Sequence, residues 1–139
     1  MVRRGYLQVL DSGKIRLFKS YNASYADGDQ ERDFLYVKDA VEMTLFFLDH
    51  STISGIFNAG TGVTRTWNDL SEAVFKAMDR EVAVEYIDMP VSIRDQFQYR
   101  TCAKINKIRN AGYSKPITSL EVAITDYIQN YLYSNKRLS

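Results

Sequence analysis

Arg32 is the residue whose chemistry stands out most clearly in this sequence. It begins residues 32–39 (RDFLYVKD), where a charged pair precedes a short apolar stretch. A guanidinium group carries a planar fork of N–H donors that suits the paired oxygens of a phosphate or diphosphate. The alternative is a surface ion pair with Glu31 or Asp33, which would contribute little to stability. The residue type alone favours neither alternative.

A glycine-containing loop, residues 60–65 (GTGVTR), lies between a predicted strand and a predicted helix. With Glu85 about 20 residues further on, it has some features of a dinucleotide-binding turn. However, Arg65 stands at the position of the third glycine, where a side chain obstructs close packing of the helix. We therefore expect a tight strand-to-helix turn whose backbone borders a ligand, rather than a pyrophosphate cradle.

The other chemically active residue types form no recognisable catalytic or metal site. His50 is the only histidine and ends a predicted helix, and Cys102 lacks a histidine at a nucleophile spacing, which favours a buried apolar role. No Tyr-x-x-x-Lys sequence, nucleophile elbow or phosphate-binding lysine loop occurs. The basic residues Lys104, Lys107 and Arg109 predict the solvated face of a helix.

Helices and strands alternate along the chain. Helices are predicted over residues 2–10, 38–50, 67–78, 103–110 and 120–132, and strands over 15–18, 33–37, 54–58 and 82–87. This alternation predicts an α/β class with a small parallel sheet. The helix at 38–50 is apolar on most sides, which predicts a buried position. Thr66 with Asp69, and Thr118 with Glu121, have the spacing of capping boxes.

Two segments have no predicted regular structure. Residues 19–31 form a polar loop with many turn-forming residues, and we expect it to be the most mobile segment and a candidate lid. Residues 91–101 are expected to be irregular or short-stranded.

The composition is that of an ordinary globular protein, here one domain over residues 1–139. Hydrophobic residues make up 45% and charged residues 25% of the chain. The net charge of +1 gives no general attraction to nucleic acid or to an anionic membrane. No apolar run approaches the roughly 18 residues of a membrane span. The single cysteine cannot form an internal disulfide, which favours a reducing, cytoplasmic compartment.

Two stretches resemble the signatures of a known family. Residues 32–39 are similar to the strand-to-helix signature in the C-terminal half of extended short-chain dehydrogenase/reductases, and residues 54–62 (SGIFNAGTG) to the second signature of that half. Both occur in the NAD-dependent epimerase/dehydratase family of nucleotide-sugar enzymes. The features that resemble its ADP-L-glycero-D-manno-heptose 6-epimerase branch are residues 15–19, 85–87 and 110–116 and the pair Gln98 and Thr101.

This resemblance covers nearly the whole chain and implies the C-terminal, substrate-binding part of a Rossmann-type fold. In that family the N-terminal half is a Rossmann domain that holds NADP and carries a glycine-rich fingerprint and a Tyr-x-x-x-Lys catalytic pair. Neither motif occurs in this sequence. The resemblance therefore implies that the dinucleotide-binding half is missing, that no cofactor binds the chain alone, and that no catalytic residue is present.

The resemblance also implies which residues contact the substrate. Arg32 would grip the nucleotide diphosphate, and Phe18, Lys19, Ser20 and Tyr21 would line the nucleotide end of the pocket. These residues form two short runs, one at the end of a predicted strand and one at the start of the next. A ligand bound by both runs would lie across the ends of these two segments.

Some positions depart from the family pattern. Phe97 stands where the family usually has a substrate-contacting tyrosine, and the missing hydroxyl removes a hydrogen bond worth about 1 kcal/mol. Tyr99 would replace it if this segment is extended, because residues two apart point the same way. Gly5 lies near the position of a substrate-contacting histidine. Residues 21–31 form a longer link than is usual in the family.

The resulting hypothesis is the nucleotide-sugar-binding portion of an ADP-heptose 6-epimerase of lipopolysaccharide core precursor synthesis, inactive alone. The departures at Gly5 and Phe97 keep a second hypothesis open, another nucleotide-sugar epimerase or dehydratase. A third is a non-catalytic assembly module whose apolar surface is covered by the missing Rossmann half or in a homo-oligomer.

Overall fold

The computed structural model describes residues 1–134. The helices are α1 (Val2–Ser12), α2 (Val37–Asp49), α3 (Trp67–Ala77), α4 (Val91–Arg94), α5 (Asn106–Asn110) and α6 (Leu120–Tyr127), which continues into a π-helical segment over Ile128–Leu132. The strands are β1 (Ile15–Phe18), β2 (Glu31–Arg32), β3 (Arg65–Thr66) and β4 (Val84–Ile87). No helix among residues 1–134 is both long and apolar enough to cross a membrane.

Two small sheets organise the strands. Strand β1 pairs in parallel with β4, from Ile15 opposite Val84 to Phe18 opposite Ile87. Strands β2 and β3 pair antiparallel, so that Arg32 lies opposite Arg65. The predicted α/β class with a small parallel sheet is therefore confirmed, and the carboxyl ends of β1 and β4 meet at one edge of it.

Helix α3 is the centre of the main core. Its inward face packs against α1, β1 and α6 through residues that are almost fully buried, among them Leu70, Val74 and Phe75. The helix begins at the predicted capping box, in which Thr66 accepts a hydrogen bond from the Asp69 amide at 2.9 Å and Asp69 accepts one from the Thr66 amide at 2.9 Å. A smaller core around Met43, Ile108 and Tyr113 joins α2 to α5.

Two of the predicted strands are wrong. Strand β2 covers only Glu31–Arg32, residues 33–36 are irregular, and α2 already begins at Val37. Residues 54–58 form no strand either. A strand requires a neighbour for its backbone N–H and C=O groups, and within residues 1–134 neither stretch pairs with one. Apolar character alone does not make a strand where no partner is available.

The prediction that the second helix is buried is also wrong. Within α2, Asp39 and Met43 are buried, but Val37, Val41, Leu45 and Leu48 are 65%, 50%, 44% and 70% exposed. We call these four side chains the α2 apolar stripe. The helix packs on the smaller core with one side only, and the described residues leave the stripe uncovered. A contiguous exposed apolar row of this kind is typical of a contact surface.

The second predicted capping box is wrong by one residue. Ser119 caps α6, accepting a hydrogen bond from the Val122 amide at 3.3 Å. Thr118 is engaged elsewhere: its amide and its hydroxyl each donate a hydrogen bond of 2.8 Å to the carboxylate of Asp39. Asp39 is only 7% exposed, so this contact fixes α2 against the start of α6.

We expect Thr118→Val to lower the free energy of unfolding by about 1–2 kcal/mol, because a buried carboxylate loses one of its two donors. Urea unfolding followed by circular dichroism measures this change. The control is Thr125→Val, which removes a hydroxyl without a hydrogen bond among the described residues and should change stability by less than about 0.5 kcal/mol. Equal effects of the two substitutions would contradict the role of Asp39.

Candidate functional site

Arg32 lies at the end of β2, half-buried between two aromatic rings. Its guanidinium carbon is 5.9 Å from the centre of the Trp67 ring and 5.3 Å from that of Phe97. One guanidinium nitrogen donates a hydrogen bond of 2.7 Å to the Glu31 carbonyl oxygen. Burial lowers the pKa of Arg32, but an arginine remains a cation at any physiological pH. The rings hold the fork in place without neutralising its charge.

The surface ion pair considered for Arg32 does not form. Glu31 instead accepts hydrogen bonds from the side chains of Arg100 at 2.8 Å and Thr64 at 3.1 Å, and Asp33 turns to backbone amides. Within residues 1–134, no carboxylate oxygen lies within 4.0 Å of the Arg32 guanidinium. Arg32 therefore keeps N–H donors available for an anion from outside the chain.

The Asp33 carboxylate accepts four hydrogen bonds from other segments. Its Oδ1 accepts from the Thr61 amide at 2.8 Å and the Thr61 hydroxyl at 2.7 Å, and its Oδ2 accepts from the amides of Gly62 and Ala103 at 3.0 Å each. Burial alone would raise the pKa of this carboxyl, but the hydrogen bonds outweigh burial and leave the pKa below its ordinary value. Asp33 thus joins the 60–65 loop to the segment before α5.

The remaining polar residues of the 32–39 signature also hold structure. The Tyr36 hydroxyl and the Lys38 ammonium both donate to the carboxylate of Asp126 in α6, the latter at 2.8 Å. These bonds lower the pKa of Asp126 to about 2. With Asp39 bound to Thr118, Arg32 is the one polar residue of the signature whose side chain bonds no other segment in the part of the chain that the structure describes.

The glycine loop is a tight turn that binds a carboxylate of its own chain. A Cβ atom at Gly60 would lie 2.3 Å from the Ala103 Cβ and 2.8 Å from Asp33 Oδ2, and Gly62 has a φ of +76°. Both glycines are required for the backbone to approach Asp33 this closely. Since the loop amides already bind Asp33, these residues do not fit the pyrophosphate of a dinucleotide, and no cofactor chemistry is assigned to them.

We expect Gly60→Ala to lower the free energy of unfolding by at least about 2 kcal/mol, because the added methyl group overlaps Ala103 and Asp33. Chemical unfolding measures the loss. Gly13→Ala is the control: its Cβ meets nothing within 4 Å, so only the φ of +71° is strained, at about 1 kcal/mol. The double variant Gly60→Ala/Ala103→Gly should recover part of the loss. No recovery would show that the overlap with Ala103 is not the cause.

A cavity of about 360 Å³ lies beside Arg32, at the edge where β1 and β4 end. Gly5, Phe18 and Phe97 line it together with Trp67, so the structure brings together three positions that the sequence marked separately. Arg32 contacts two of the lining rings from outside the cavity. A larger open concavity of about 570 Å³ borders residues 33–37 and α6, but it is lined mainly by apolar side chains and contains none of the predicted ligand residues.

Lys19, Ser20 and Tyr21 follow Phe18 but are not among the residues that line this cavity. Lys19 pairs with Asp88 at 3.1 Å, and the Tyr21 hydroxyl donates to the same carboxylate at 3.2 Å. The Ser20 amide donates to Asp27 at 2.6 Å, within the 19–31 loop. Their contact with a nucleotide, and the closing of this loop on a ligand, stay predictions.

Tyr99 connects the cavity wall to the 19–31 loop. Its ring centre is 5.3 Å from that of Phe97 and 5.4 Å from that of Tyr25. Its hydroxyl oxygen accepts a hydrogen bond of 3.0 Å from the Tyr21 amide. The hydroxyl can still donate its proton, so replacement of the hydroxyl missing at Phe97 stays a prediction.

The remaining candidates lie away from the cavity. His50 stacks on Phe46 at 4.3 Å and bonds the Phe46 carbonyl, as part of the end of α2. Cys102 is half-buried, so the expected buried position is wrong. The basic helix face is also not simply solvated, because Lys107 donates to the Ile56 carbonyl and Arg109 to that of Tyr113. Sequence reasoning missed Gln30, a buried polar residue of the cavity wall that nothing in the sequence distinguishes from its turn-forming neighbours.

Comparisons with known proteins agree with the signatures. The model of the NAD dependent epimerase/dehydratase family matches residues 2–60. The ADP-L-glycero-D-manno-heptose-6-epimerase of Nitratidesulfovibrio vulgaris is 48% identical over 132 residues, which are 95% of this chain and 41% of that protein. The enzyme of the same name from Fusobacterium nucleatum is 45% identical and covers 95% of this chain and 42% of its own length.

The fold agrees as well. The crystal structure of Helicobacter pylori ADP-L-glycero-D-manno-heptose-6-epimerase superposes with a TM-score of 0.72 at 26% identity, covering 94% of this chain and 37% of that one. The chain thus spans about two fifths of the length of the curated relatives it matches, as expected for the C-terminal part of an extended short-chain dehydrogenase/reductase. Full-length members of this group bind NAD or NADP. From its signatures, its relatives and its fold, the chain belongs to the NAD-dependent epimerase/dehydratase family.

Proposed function

We propose that this chain binds the nucleotide-diphosphate part of an ADP-linked sugar, as the substrate-binding portion of an ADP-L-glycero-D-manno-heptose 6-epimerase. The observation that carries the proposal is Arg32, a cation without a carboxylate partner in residues 1–134, held between Trp67 and Phe97 beside an open cavity. A guanidinium fork in a partly desolvated site binds diphosphate oxygens well. The relatives at 48% and 45% identity support ADP-heptose as the sugar nucleotide.

The proposal assigns binding, and no chemical step, to this chain. Hydride removal from C6 of the heptose needs a nicotinamide, and acid/base chemistry needs a positioned donor and acceptor. The glycine loop does not fit a dinucleotide, and the sequence contains no Tyr-x-x-x-Lys. We therefore propose that the chain alone is inactive and that a dinucleotide-binding half with NADP completes the enzyme.

Calorimetric titration of the chain with ADP-heptose and with UDP-, GDP- and dTDP-linked sugars tests the proposal. We expect ADP-heptose to bind most tightly. Tighter binding of another sugar nucleotide would favour a different epimerase or dehydratase, the alternative that Gly5 and Phe97 support. A turnover assay with NADP and ADP-heptose completes the test, because epimerisation by the chain alone would overturn its proposed inactivity.

The α2 apolar stripe supports a second candidate function, assembly. Val37, Val41, Leu45 and Leu48 form one exposed row, which is typical of a surface that another protein covers. We propose that the Rossmann half of the family covers this row and that, without it, two copies of the chain associate through it. Sedimentation equilibrium should show a dimer that Leu45→Glu dissociates. A monomer at all concentrations would contradict this function.

A further inference from the structure

Gln30 is a buried polar side chain in the wall of the cavity. It is 1% exposed and lies beside Phe18, Trp67 and Phe97 in the cavity of about 360 Å³. A buried amide side chain normally has partners for both its NH₂ group and its oxygen. In Gln30 only the NH₂ group has one within residues 1–134, so the oxygen needs an explanation.

The orientation of this amide follows from its neighbour. Gln30 Nε2 donates a hydrogen bond of 3.3 Å to the Phe18 carbonyl oxygen at the end of β1. The reversed amide would place two acceptors against each other, so the oxygen must point the other way. No solvent-inaccessible side-chain oxygen or nitrogen among the described residues lacks a partner. The Gln30 oxygen is therefore accessible from the cavity, as a fixed acceptor.

The lining of the cavity limits what donates to this acceptor. Most of the lining side chains are apolar or aromatic: Ile15, Leu17, Phe18, Trp67, Leu70, Ile87 and Phe97. A sugar with several hydroxyl groups would leave most of them unpaired against such a wall, at a cost for each. A flat base with one amino group fits better, because it stacks on aromatic rings and offers one donor.

Gln30 and Arg32 are placed to act on one ligand. Glu31–Arg32 is extended, and residues two apart on extended backbone present their side chains to the same side. Arg32 contacts the Trp67 and Phe97 rings, which also form the wall beside Gln30. A nucleotide whose phosphates reach Arg32 thus carries its base towards the cavity.

We propose that Gln30 recognises the base: its side-chain oxygen accepts a hydrogen bond from the 6-amino group of adenine, while Arg32 binds the diphosphate of the same ligand. This inference rests on the proposed function and adds to it the residue that selects an ADP-linked ligand over other nucleotides.

The test compares ADP with inosine diphosphate (IDP), in which a carbonyl oxygen replaces the 6-amino group. An oxygen opposite the Gln30 oxygen loses the hydrogen bond and leaves both acceptors unpaired, so the wild-type chain should bind ADP about 10-fold more tightly or better. Gln30→Met has a similar length but no acceptor, and it should bring the two dissociation constants close to each other. Calorimetry with each nucleotide gives both constants.

The ratio of the two constants separates a direct contact from a structural role, because a distorted cavity weakens both nucleotides alike. The control is Gln129→Met: Gln129 also donates from Nε2 to a backbone carbonyl, that of Ala77 at 3.4 Å, but does not line the cavity. It should leave the ratio unchanged. Equal wild-type affinities, or a ratio that persists in Gln30→Met, would overturn the role of Gln30 alone. No binding of ADP to the wild-type chain would overturn the proposed function as well.

Discussion

Replacement of Asp33 by alanine should lower the free energy of unfolding by about 3 kcal/mol or more at neutral pH. The Asp33 carboxylate accepts hydrogen bonds from the amides of Thr61, Gly62 and Ala103, and all three lose their acceptor at once. Each partly buried amide left without a partner costs about 1–3 kcal/mol, of which water entering the space recovers some. Urea unfolding followed by fluorescence of Trp67, the single tryptophan, measures the loss.

The effect of Asp33→Ala should depend on pH in a defined direction. The hydrogen bonds hold the folded-state pKa of Asp33 below its ordinary value. Its contribution is therefore fully present above the unfolded pKa of about 3.9 and is lost as the pH falls through the lower folded value. The stability difference between wild type and variant should be largest near pH 7 and should decrease below about pH 4. A difference that grows on acidification would contradict the proposed state of this carboxyl.

A second aspartate separates the contact from the loss of a charge. Asp11 is exposed in α1 and forms no hydrogen bond or ion pair among the described residues. Asp11→Ala should change stability by less than about 0.5 kcal/mol. Comparable losses for the two variants would mean that net charge, and not the bonds to the loop, determines the stability.

The structure gives the two family signatures a shared physical reason. Asp33 from the first signature is bound by the amides of Thr61 and Gly62 from the second, and Gly60 is small because Asp33 and Ala103 lie against it. Each signature supplies half of one contact. A sequence motif with glycines before a helix indicates an anion bound by backbone amides, but not whether the anion belongs to a ligand or to the chain.

Local signals in the sequence predicted most of the fold. The helical periodicity of α3 and the capping box at Thr66 depend on residues three to four apart, and both are confirmed. The parallel class followed from the alternation of elements and is confirmed by β1 and β4. Short-range patterns fix such features because the interacting residues are close in the chain.

The errors occur where a distant segment decides the outcome. Residues 33–37 and 54–58 have the composition of strands but find no neighbour within residues 1–134. Thr118 has the spacing of a helix cap, but Asp39, 79 residues away, takes its amide and hydroxyl. For the same reason the sequence could mark Phe18 and Phe97 separately, but could not show that Gln30 shares their cavity.

Arg32→Ala should weaken the binding of ADP-linked sugars about 10- to 100-fold. Hydrogen bonds from a charged donor to a charged acceptor contribute about 1.5–3 kcal/mol each, and the fork makes at least one such bond to a diphosphate. The fold should change little, because the side chain makes one hydrogen bond, to the carbonyl of its own neighbour Glu31. Calorimetry with ADP gives the affinity, and urea unfolding of the same samples gives the stability.

Two further variants separate the fork from the charge. Arg32→Lys keeps the cation but loses the planar pair of donors, so its affinity should fall between those of the wild type and Arg32→Ala. Arg80→Ala removes an exposed cation that does not line the cavity and should leave the affinity unchanged. If Arg80→Ala weakened ADP binding as much as Arg32→Ala, general attraction between the positive charge and the nucleotide would explain the affinity. Unchanged affinity in Arg32→Ala would place the diphosphate elsewhere, and the space between Trp67 and Phe97 would then be no more than a site for packing the arginine.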